Sequence, residues 1–129
     1  MAHPNEDLMR KGYAAFGSGD LAALNDLFSD DVVWHSPGHN QLSGDQRGKD
    51  EVFAQFGKIV ELTGGTFKLD LHDVLANDDH GVALLTATAQ RDGKELNDHS
   101  VQVFHLKDGK VTESWLHVGD EQKSDEFWG

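Results

Sequence analysis

Two histidines and a serine at the end of a predicted strand are the side chains of this sequence best placed for proton transfer. Val32-Val33-Trp34 has the apolar, β-branched character of a buried strand, and His35, Ser36 and His39 follow it. Pro37 disfavours a helical conformation for Ser36, so the strand should end in a loop here. Loops on a rigid scaffold often carry functional groups, and imidazole exchanges protons near neutral pH. The alternative for Ser36 is a turn residue that bonds the local backbone.

His39 is the preferred catalytic residue of this loop. Because side chains alternate between the two faces of a strand, His35 should lie opposite Trp34 and Ser36. Asp98 comes just before a second apolar strand and could accept a hydrogen bond from His39. The sequence therefore suggests His39 and Asp98 as a catalytic pair.

Metal and cofactor sites are not expected. The eight histidines form no His-x-His pair and no zinc-binding helix motif. The chain has no cysteine, which excludes a disulfide framework and a thiolate nucleophile, and it has no glycine-rich phosphate loop. We expect no metal and no cofactor.

The acidic composition argues against nucleic acid and anionic membranes as partners. The 129 residues carry a formal net charge of −12, and they suit a single domain spanning residues 1–129. No segment approaches the roughly 18 apolar residues of a membrane span, and the start of the chain lacks the pattern of a signal peptide. We expect a cytoplasmic protein.

The elements that must position the candidate residues follow from hydrophobic periodicity. Apolar residues at helical spacing predict helices at 5–16, 20–28 and 49–62. Alternating or continuously apolar stretches predict strands at 31–36, 67–71, 82–90, 101–106 and 111–118, with a bulge near 73–75. Asp92-Gly93 and Asp108-Gly109 are typical of two-residue hairpin turns. This order predicts an α+β fold in which three helices pack on a strongly curved antiparallel sheet to form a cone-shaped barrel with an open, apolar mouth.

Four stretches carry a resemblance to a known family. They read GDLAALNDLFSDDVVWHSPG, RGKDEVFAQF, TGGTFKLDLHDV and DGKVTESW, in that order. Together they resemble the SnoaL-like branch of the nuclear-transport-factor-2-like superfamily, which includes polyketide cyclases and relatives of ketosteroid isomerase. The resemblance implies the cone fold, a pocket, and a homodimer formed through the outer face of the sheet. It does not imply one reaction, because this scaffold hosts several chemistries.

The catalytic residues of ketosteroid isomerase are replaced at the matching positions. That enzyme uses an aspartate base and an oxyanion hole of tyrosine and aspartic acid. The base falls on Ser36, the tyrosine on Gly12 with Tyr13 one residue out of phase, and the aspartic acid on or near Gln102. Leu116 follows Trp115 where related cyclases often carry an acid. The resemblance therefore implies the pocket without the family's known acid–base chemistry.

The resemblance and the period of two together give a set of expected ligand-binding residues. For Trp34, Phe104, Leu116 and Val118 the alternative is ordinary core packing. Gln102 is the most informative, because a buried amide needs either a protein partner or a polar pocket. The expected ligand-binding residues are Tyr13, Trp34, Ser36, Phe56, Gln102, Phe104, Leu116 and Val118.

Residues on the other face and at the end of the chain suggest further contacts. His105, Trp115 and His117 should point to the outer face of the sheet, where the dimer is expected. The segment 120–126 is polar enough to be a surface connection, and the aromatic pair Phe127-Trp128 follows it. This pair could cover the pocket mouth, dock on a second subunit or anchor on the chain's own surface.

Two functions remain open from the sequence. One is a cofactor-independent isomerase, cyclase or hydrolase acting on an apolar carbonyl or epoxide-type molecule, with His39 moving the proton. The other is a module that binds a small apolar ligand or a protein segment without converting it.

Overall fold

The computed structural model describes residues 3–129 and contains four helices. They are α1 (Pro4–Ser18), α2 (Leu21–Leu27), α3 (Gly48–Thr63) and α4 (Glu121–Trp128). The first three confirm the helices expected from apolar spacing. Gly19 ends α1 in the left-handed conformation with φ of 72°, and its N–H bonds the last carbonyls of that helix.

Six strands form one curved, mixed sheet on which the helices pack. The strands lie in the order β2-β1-β6-β5-β4-β3. Their bounds are β1 (Phe28–Ser36), β2 (Gly44–Arg47), β3 (Lys68–Ala76), β4 (His80–Arg91), β5 (Lys94–Lys107) and β6 (Lys110–His117). The α+β cone predicted from the sequence is confirmed.

The expectation of a wholly antiparallel sheet is wrong at β1. This strand runs parallel to β6, with Trp34 opposite Ser114 and His35 opposite Trp115. No hairpin joins the two strands, since α3 and four strands separate them along the chain, so nothing local fixes their relative direction. β2 pairs antiparallel with β1 from within the predicted polar loop, and its sequence, Gly44–Arg47, has no apolar alternation that would reveal it.

The two Asp-Gly hairpin turns are confirmed. Asp92 and Gly93 have φ of 51° and 76°, and Asp108 and Gly109 have φ of 53° and 74°. Two successive residues with positive φ give the turn whose twist matches the flanking strands. The first turn fixes the register of β4 with β5. The second turn starts the register of β5 with β6, which then shifts between His105 and Leu106.

The predicted bulge is also present. The register between β3 and β4 shifts between Leu71 and Asp73, so one extra residue lies in β3. Such a shift bends the strand and increases its twist, which helps to curve the sheet around the helices.

Helix α4 lies where the sequence suggested a surface connection. Asp120 caps it by accepting a hydrogen bond from the Lys123 N–H at 3.0 Å. Ser124, Phe127 and Trp128 are buried on one side. These three positions are too few to show a helical period, so the sequence of this acidic segment does not distinguish a helix from an irregular tail.

The core fills the space between the helices and the inner face of the sheet. Val32, Val52 and Val74 are among its most buried side chains, and a second cluster of Leu42, Ala89, Phe127 and Trp128 closes the end beside α4. Within residues 3–129, no helix has the length and apolar character needed to cross a membrane.

Candidate active site

A mostly apolar cavity lies inside the cone, between the helices and the sheet. Its volume, counted as the space open to the centres of water molecules, is about 140 Å³. The structure places every expected ligand-binding residue on its wall, while their roles in binding stay predictions. These residues are Tyr13, Trp34, Ser36, Phe56, Gln102, Phe104, Leu116 and Val118.

The aromatic residues of the wall also form part of the core. The Trp34 ring lies 5.3 Å from that of Phe56 and 6.0 Å from that of Phe104, both edge-on. Phe104 is buried, as core packing requires, and still faces the cavity. Core packing and ligand binding are therefore compatible roles for these residues, because the core around the cavity holds the rings that line it.

A buried chain of hydrogen bonds joins α1 to β5 and β6. The Tyr13 hydroxyl donates to Oε1 of Gln102 at 2.5 Å, and Nε2 of Gln102 donates to Oγ of Ser114 at 3.0 Å. Burial raises the pKa of the Tyr13 hydroxyl above its ordinary value, so it stays protonated at neutral pH. The network fixes the Gln102 amide with its oxygen toward Tyr13 and its nitrogen toward Ser114.

Tyr13 lies on the cavity wall, although it falls one residue out of phase with the tyrosine of ketosteroid isomerase. Both Gly12 and Tyr13 line the cavity, and Tyr13 reaches Gln102. A Cβ atom at Gly12 would lie 2.7 Å from Cδ2 of Leu27, so the glycine lets α2 pack closely on α1. The match to ketosteroid isomerase placed its tyrosine at position 12, where the contact between α1 and α2 favours a glycine.

One hydrogen-bond donor of Gln102 has no partner in the described part of the chain. Its amide nitrogen carries two protons, and the bond to Ser114 accounts for one of them. No partner for the other is found among residues 3–129. Gln102 is 5% exposed and lines the cavity, so the remaining donor has only the cavity in which to find an acceptor.

A second polar cluster surrounds Ser36 at the end of β1. Its hydroxyl donates to Oε1 of Gln46 at 2.9 Å and accepts from Nε2 of Gln55 at 3.3 Å. Nε2 of Gln55 also donates to the Leu42 carbonyl at 2.7 Å. Side chains from β2 and α3 hold Ser36, so it is more than a local turn residue. No carboxylate or imidazole takes part in these bonds to turn the hydroxyl into a nucleophile.

Asp98 is a buried carboxylate on the cavity wall. It is 8% exposed and accepts hydrogen bonds from the Ser100 hydroxyl at 2.8 Å and from the Gly119 N–H at 3.1 Å. The Asp120 N–H donates to it at 3.3 Å. Asp98 therefore ties β5 to the segment that leads into α4.

The predicted hydrogen bond between His39 and Asp98 is wrong. The His39 side chain is 92% exposed and does not line the cavity, and its ring lies 3.9 Å from Glu121. Its backbone N–H donates to Asp125 instead, so the loop turns the ring outward against α4. This bond, with one from Asn40, holds the pKa of Asp125 below its ordinary value. His39, Glu121 and Asp125 bring ligand atoms within 4.8 Å of one another on the surface.

His35 lies on the outer face of the sheet, as the strand alternation predicts. Its Nδ1 is 2.7 Å from Asp45, its Nε2 is 2.6 Å from Glu113, and its ring stacks on Trp115 at 5.2 Å. Partial burial acts to lower the pKa of His35, but the hydrogen bonds to Glu113 and Asp45 outweigh it and raise the net pKa. The ring bonds two carboxylates and does not line the cavity.

Helix α4 covers the end of the cavity. Ser124 and Trp128 line it, and Trp128 is 6% exposed. The backbone carbonyl of Trp128 accepts from Gln41 at 2.6 Å, and that of Phe127 accepts from Arg91 at 2.9 Å. Of the alternatives for the aromatic pair, the structure shows both rings buried within their own chain, with Trp128 at the cavity.

Polar residues of the wall and of its supporting network were missed from the sequence. Ser100 on the wall and the buried Ser114, which bonds Gln102, occupy inward positions of β5 and β6, so the period of two could have found them. Gln55 lies three residues after the buried Val52 on α3, on the apolar side of that helix.

The family comparison agrees with this architecture. A family model described as a SnoaL-like domain matches residues 9–114. The uncharacterized protein Rv0034 of Mycobacterium tuberculosis is 36% identical over 123 residues, covering 95% of this chain and 94% of its own. Bal32a, from a soil-derived mobile gene cassette, is 42% identical with a TM-score of 0.94, covering 97% of this chain and 96% of its own.

More distant structures share the fold. IdmH, a putative polyketide cyclase from Streptomyces antibioticus, is 18% identical with a TM-score of 0.76, covering 91% of this chain and 93% of its own. TerC, co-crystallized with polyporic acid, is 21% identical with a TM-score of 0.85, covering 97% of this chain and 98% of its own.

Proposed function

This chain belongs to the SnoaL-like domain family, and from that premise and its cavity we propose that it binds a small, largely apolar molecule through a carbonyl oxygen. The observation that carries the proposal is the unused amide proton of Gln102. Tyr13 and Ser114 hold that amide at the cavity wall. A carbonyl oxygen has acceptor lone pairs and no proton, so it complements a lone donor among apolar side chains.

The energetics favour an acceptor over a purely apolar ligand. A buried donor without a partner costs about 1–3 kcal/mol, and a ligand carbonyl at Gln102 would recover part of that cost. Since the bonds to Tyr13 and Ser114 already fix the amide, little conformational entropy is lost when the ligand binds. The rings of Trp34, Phe56 and Phe104 then enclose the apolar remainder of the molecule.

Enzymatic turnover is the alternative to binding alone. With His39 outside the cavity, the ionisable side chains on the wall are Tyr13 and Asp98. Gln102 would polarise the carbonyl and Asp98 would move a proton, which suits a cofactor-independent isomerisation, cyclisation or hydrolysis of a carbonyl or epoxide-type molecule. IdmH, a putative polyketide cyclase, and TerC, co-crystallized with polyporic acid, share the fold of this chain.

Binding without conversion is favoured by the separation of these groups. Asp98 and Gln102 lie on the inner face of β5 four residues apart, which corresponds to roughly 13 Å along the strand. A base that removes a proton beside the carbonyl must approach to hydrogen-bonding distance. The spacing therefore suits a carrier or sensor that recognises two parts of one ligand.

The carbonyl site is tested with two ligands of similar shape. Benzylacetone carries a ketone and butylbenzene does not, and the quenching of Trp34 and Trp128 fluorescence reports their binding. We expect the wild type to bind benzylacetone about tenfold more tightly, and Gln102→Leu to lose this preference. Gln122→Leu, the same change on the exposed side of α4, is the control. A preference that survives Gln102→Leu would refute the assignment.

Turnover is tested on the protein as isolated. Native mass spectrometry identifies any bound compound, which is then returned to the empty protein and recovered. Chemical change that depends on Asp98 supports an enzyme, and unchanged recovery after prolonged incubation supports the binding module.

We also propose a second copy of this chain as partner, through the outer face of the sheet. Leu75, Val82, Val103 and Trp115 are successive neighbours across four strands and form one apolar row there. Leu75 is 55% exposed, so the row is open to solvent in the single chain. Trp115→Glu should convert a dimer into a monomer in sedimentation velocity, and a wild type that sediments as a monomer would refute the proposal.

A further inference from the structure

Asp98 is a buried carboxylate that no cation balances among the residues that the structure describes. It is 8% exposed, and no lysine, arginine or histidine within residues 3–129 forms an ion pair with it. Buried carboxylates in proteins are normally paired with a cation or a metal, because removing the charge from water is costly. The missing countercharge lies beside a cavity that we propose holds a ligand.

Hydrogen-bond donors from the protein surround Asp98 and hold its carboxylate in place. Its Oδ2 accepts from the Ser100 hydroxyl at 2.8 Å, and the Gly119 N–H lies 3.1 Å from Oδ1 and 3.2 Å from Oδ2. The Asp120 N–H donates to Oδ1 at 3.3 Å. Neutral donors of this kind stabilise a carboxylate by hydrogen bonding and leave its full negative charge uncompensated.

The close approach of the backbone to Asp98 requires glycine. A Cβ atom at Gly119 would lie 2.6 Å from the His99 carbonyl oxygen and 2.9 Å from Oδ1 of Asp98. Only a residue without a side chain can bring its N–H to both carboxylate oxygens here. The backbone at Gly119 therefore packs closely against one side of the Asp98 carboxylate.

One acceptor position remains for a ligand. An ionised carboxylate offers about four lone-pair positions, and three protons reach Asp98 from Ser100, Gly119 and Asp120. The proton from Gly119 is shared between the two oxygens, and the bond from Asp120 is long. A charged donor from the cavity would form a shorter and stronger bond than these.

We propose that Asp98 binds a protonated amine on the ligand, so that the natural ligand is an apolar molecule carrying an ammonium group at one end. This inference rests on the proposed function, since it assigns a second group of the same ligand. The ammonium supplies both the missing countercharge and a donor for the remaining lone pair. The net charge of −12 attracts such a cation to the protein. The faces of the aromatic rings on the cavity wall also attract a cation.

The two polar positions then define the shape of the ligand. Gln102 binds an acceptor and Asp98 binds a cation, roughly 13 Å apart along β5. Ser100 lies between them on the same inner face. The ligand is elongated, with a carbonyl toward α1, an ammonium toward α4 and an apolar middle.

The test compares three probes of nearly the same size. Phenylbutylamine carries the ammonium, phenylbutanol carries a neutral hydroxyl, and butylbenzene carries neither. Fluorescence titration near pH 7 should show the amine bound about tenfold more tightly than either of the others, because a hydrogen bond to a charged group exceeds a neutral one by about that factor. An alcohol that binds as tightly as the amine would overturn the assignment of a cation.

Two matched variants locate the effect. In Asp98→Asn the preference for the amine should fall to about threefold or less, while butylbenzene binds as in the wild type. Asp108→Asn makes the same change in an exposed hairpin turn whose positive φ suits asparagine, and it should keep the full preference. If Asp98→Asn keeps the preference, or Asp108→Asn loses it equally, the general negative field attracts the amine and the proposal is wrong.

The controls separate folding and the underlying proposal from this inference. Asparagine keeps an acceptor for Gly119, and urea unfolding of Asp98→Asn shows how much of the chain is folded in the titration. If butylbenzene binds and the amine binds no better, the ammonium assignment fails while the cavity stands. If neither the hydrocarbon nor benzylacetone binds, the proposed function and this inference fail together.

Discussion

Removing the Tyr13 hydroxyl tests whether the buried network at the cavity is real. In Tyr13→Phe the ring remains and Oε1 of Gln102, a residue 5% exposed, loses its donor. A buried acceptor without a partner costs about 1–3 kcal/mol, and we expect the free energy of unfolding to fall by that amount. Urea denaturation followed by tryptophan fluorescence measures it.

The double variant gives the sharper result. Gln102→Leu alone leaves the hydroxyls of Tyr13 and Ser114 without their partner, at a similar cost for each buried group. In Tyr13→Phe combined with Gln102→Leu, both the Tyr13 hydroxyl and Oε1 of Gln102 are absent, so neither is left buried without a partner. The loss in the double variant should therefore be smaller than the sum of the two single losses by about 1–2 kcal/mol. Strictly additive losses would refute the network and the orientation of the amide that depends on it.

Three further outcomes are expected. Trp128→Ala should lower the free energy of unfolding by about 3–5 kcal/mol, because Trp128 is 6% exposed and closes one end of the cavity; an unchanged urea midpoint would show that α4 does not pack there. His35 has a raised pKa, so its bonds to Glu113 and Asp45 contribute fully below its unfolded pKa of about 6.5 and are lost as pH rises through the folded value. Urea stability from pH 6 to 9 should therefore decline in the wild type by more than in Glu113→Gln, and parallel curves would contradict the ion pair. Gly12→Ala should lower the free energy of unfolding by about 1–3 kcal/mol, since its Cβ would lie 2.7 Å from Leu27. Gly57→Ala, with open space at its Cβ, should not destabilise the helix.

The fold was predictable where the determinants are local. Apolar periodicity located the first three helices, and the Asp-Gly pairs located two hairpins, because positive φ at two successive residues suits few other sequences. The parallel pairing of β1 with β6 depends on contacts between segments far apart in the chain. No short pattern encodes such a pairing.

The candidate site was predictable in part for the same reason. The family resemblance, together with the alternation of side chains along a strand, placed Gln102, Phe104, Leu116 and Val118 on the inner face, where the cavity lies. His39 had the right chemistry at a strand end, but the bond from its backbone to Asp125 of α4 turns the loop outward. Because the sequence did not reveal α4 as a helix, it could not reveal which way this histidine points.

The most direct test of the carbonyl site follows the side-chain amide of Gln102 by NMR. Its nitrogen and two protons are identified in a ¹⁵N-labelled sample as the signals missing from Gln102→Leu. On addition of benzylacetone, one of the two amide protons should shift downfield as it bonds the ketone, and butylbenzene should not produce this shift. If benzylacetone binds and both amide protons stay where butylbenzene leaves them, the carbonyl lies elsewhere and Gln102 is not its partner.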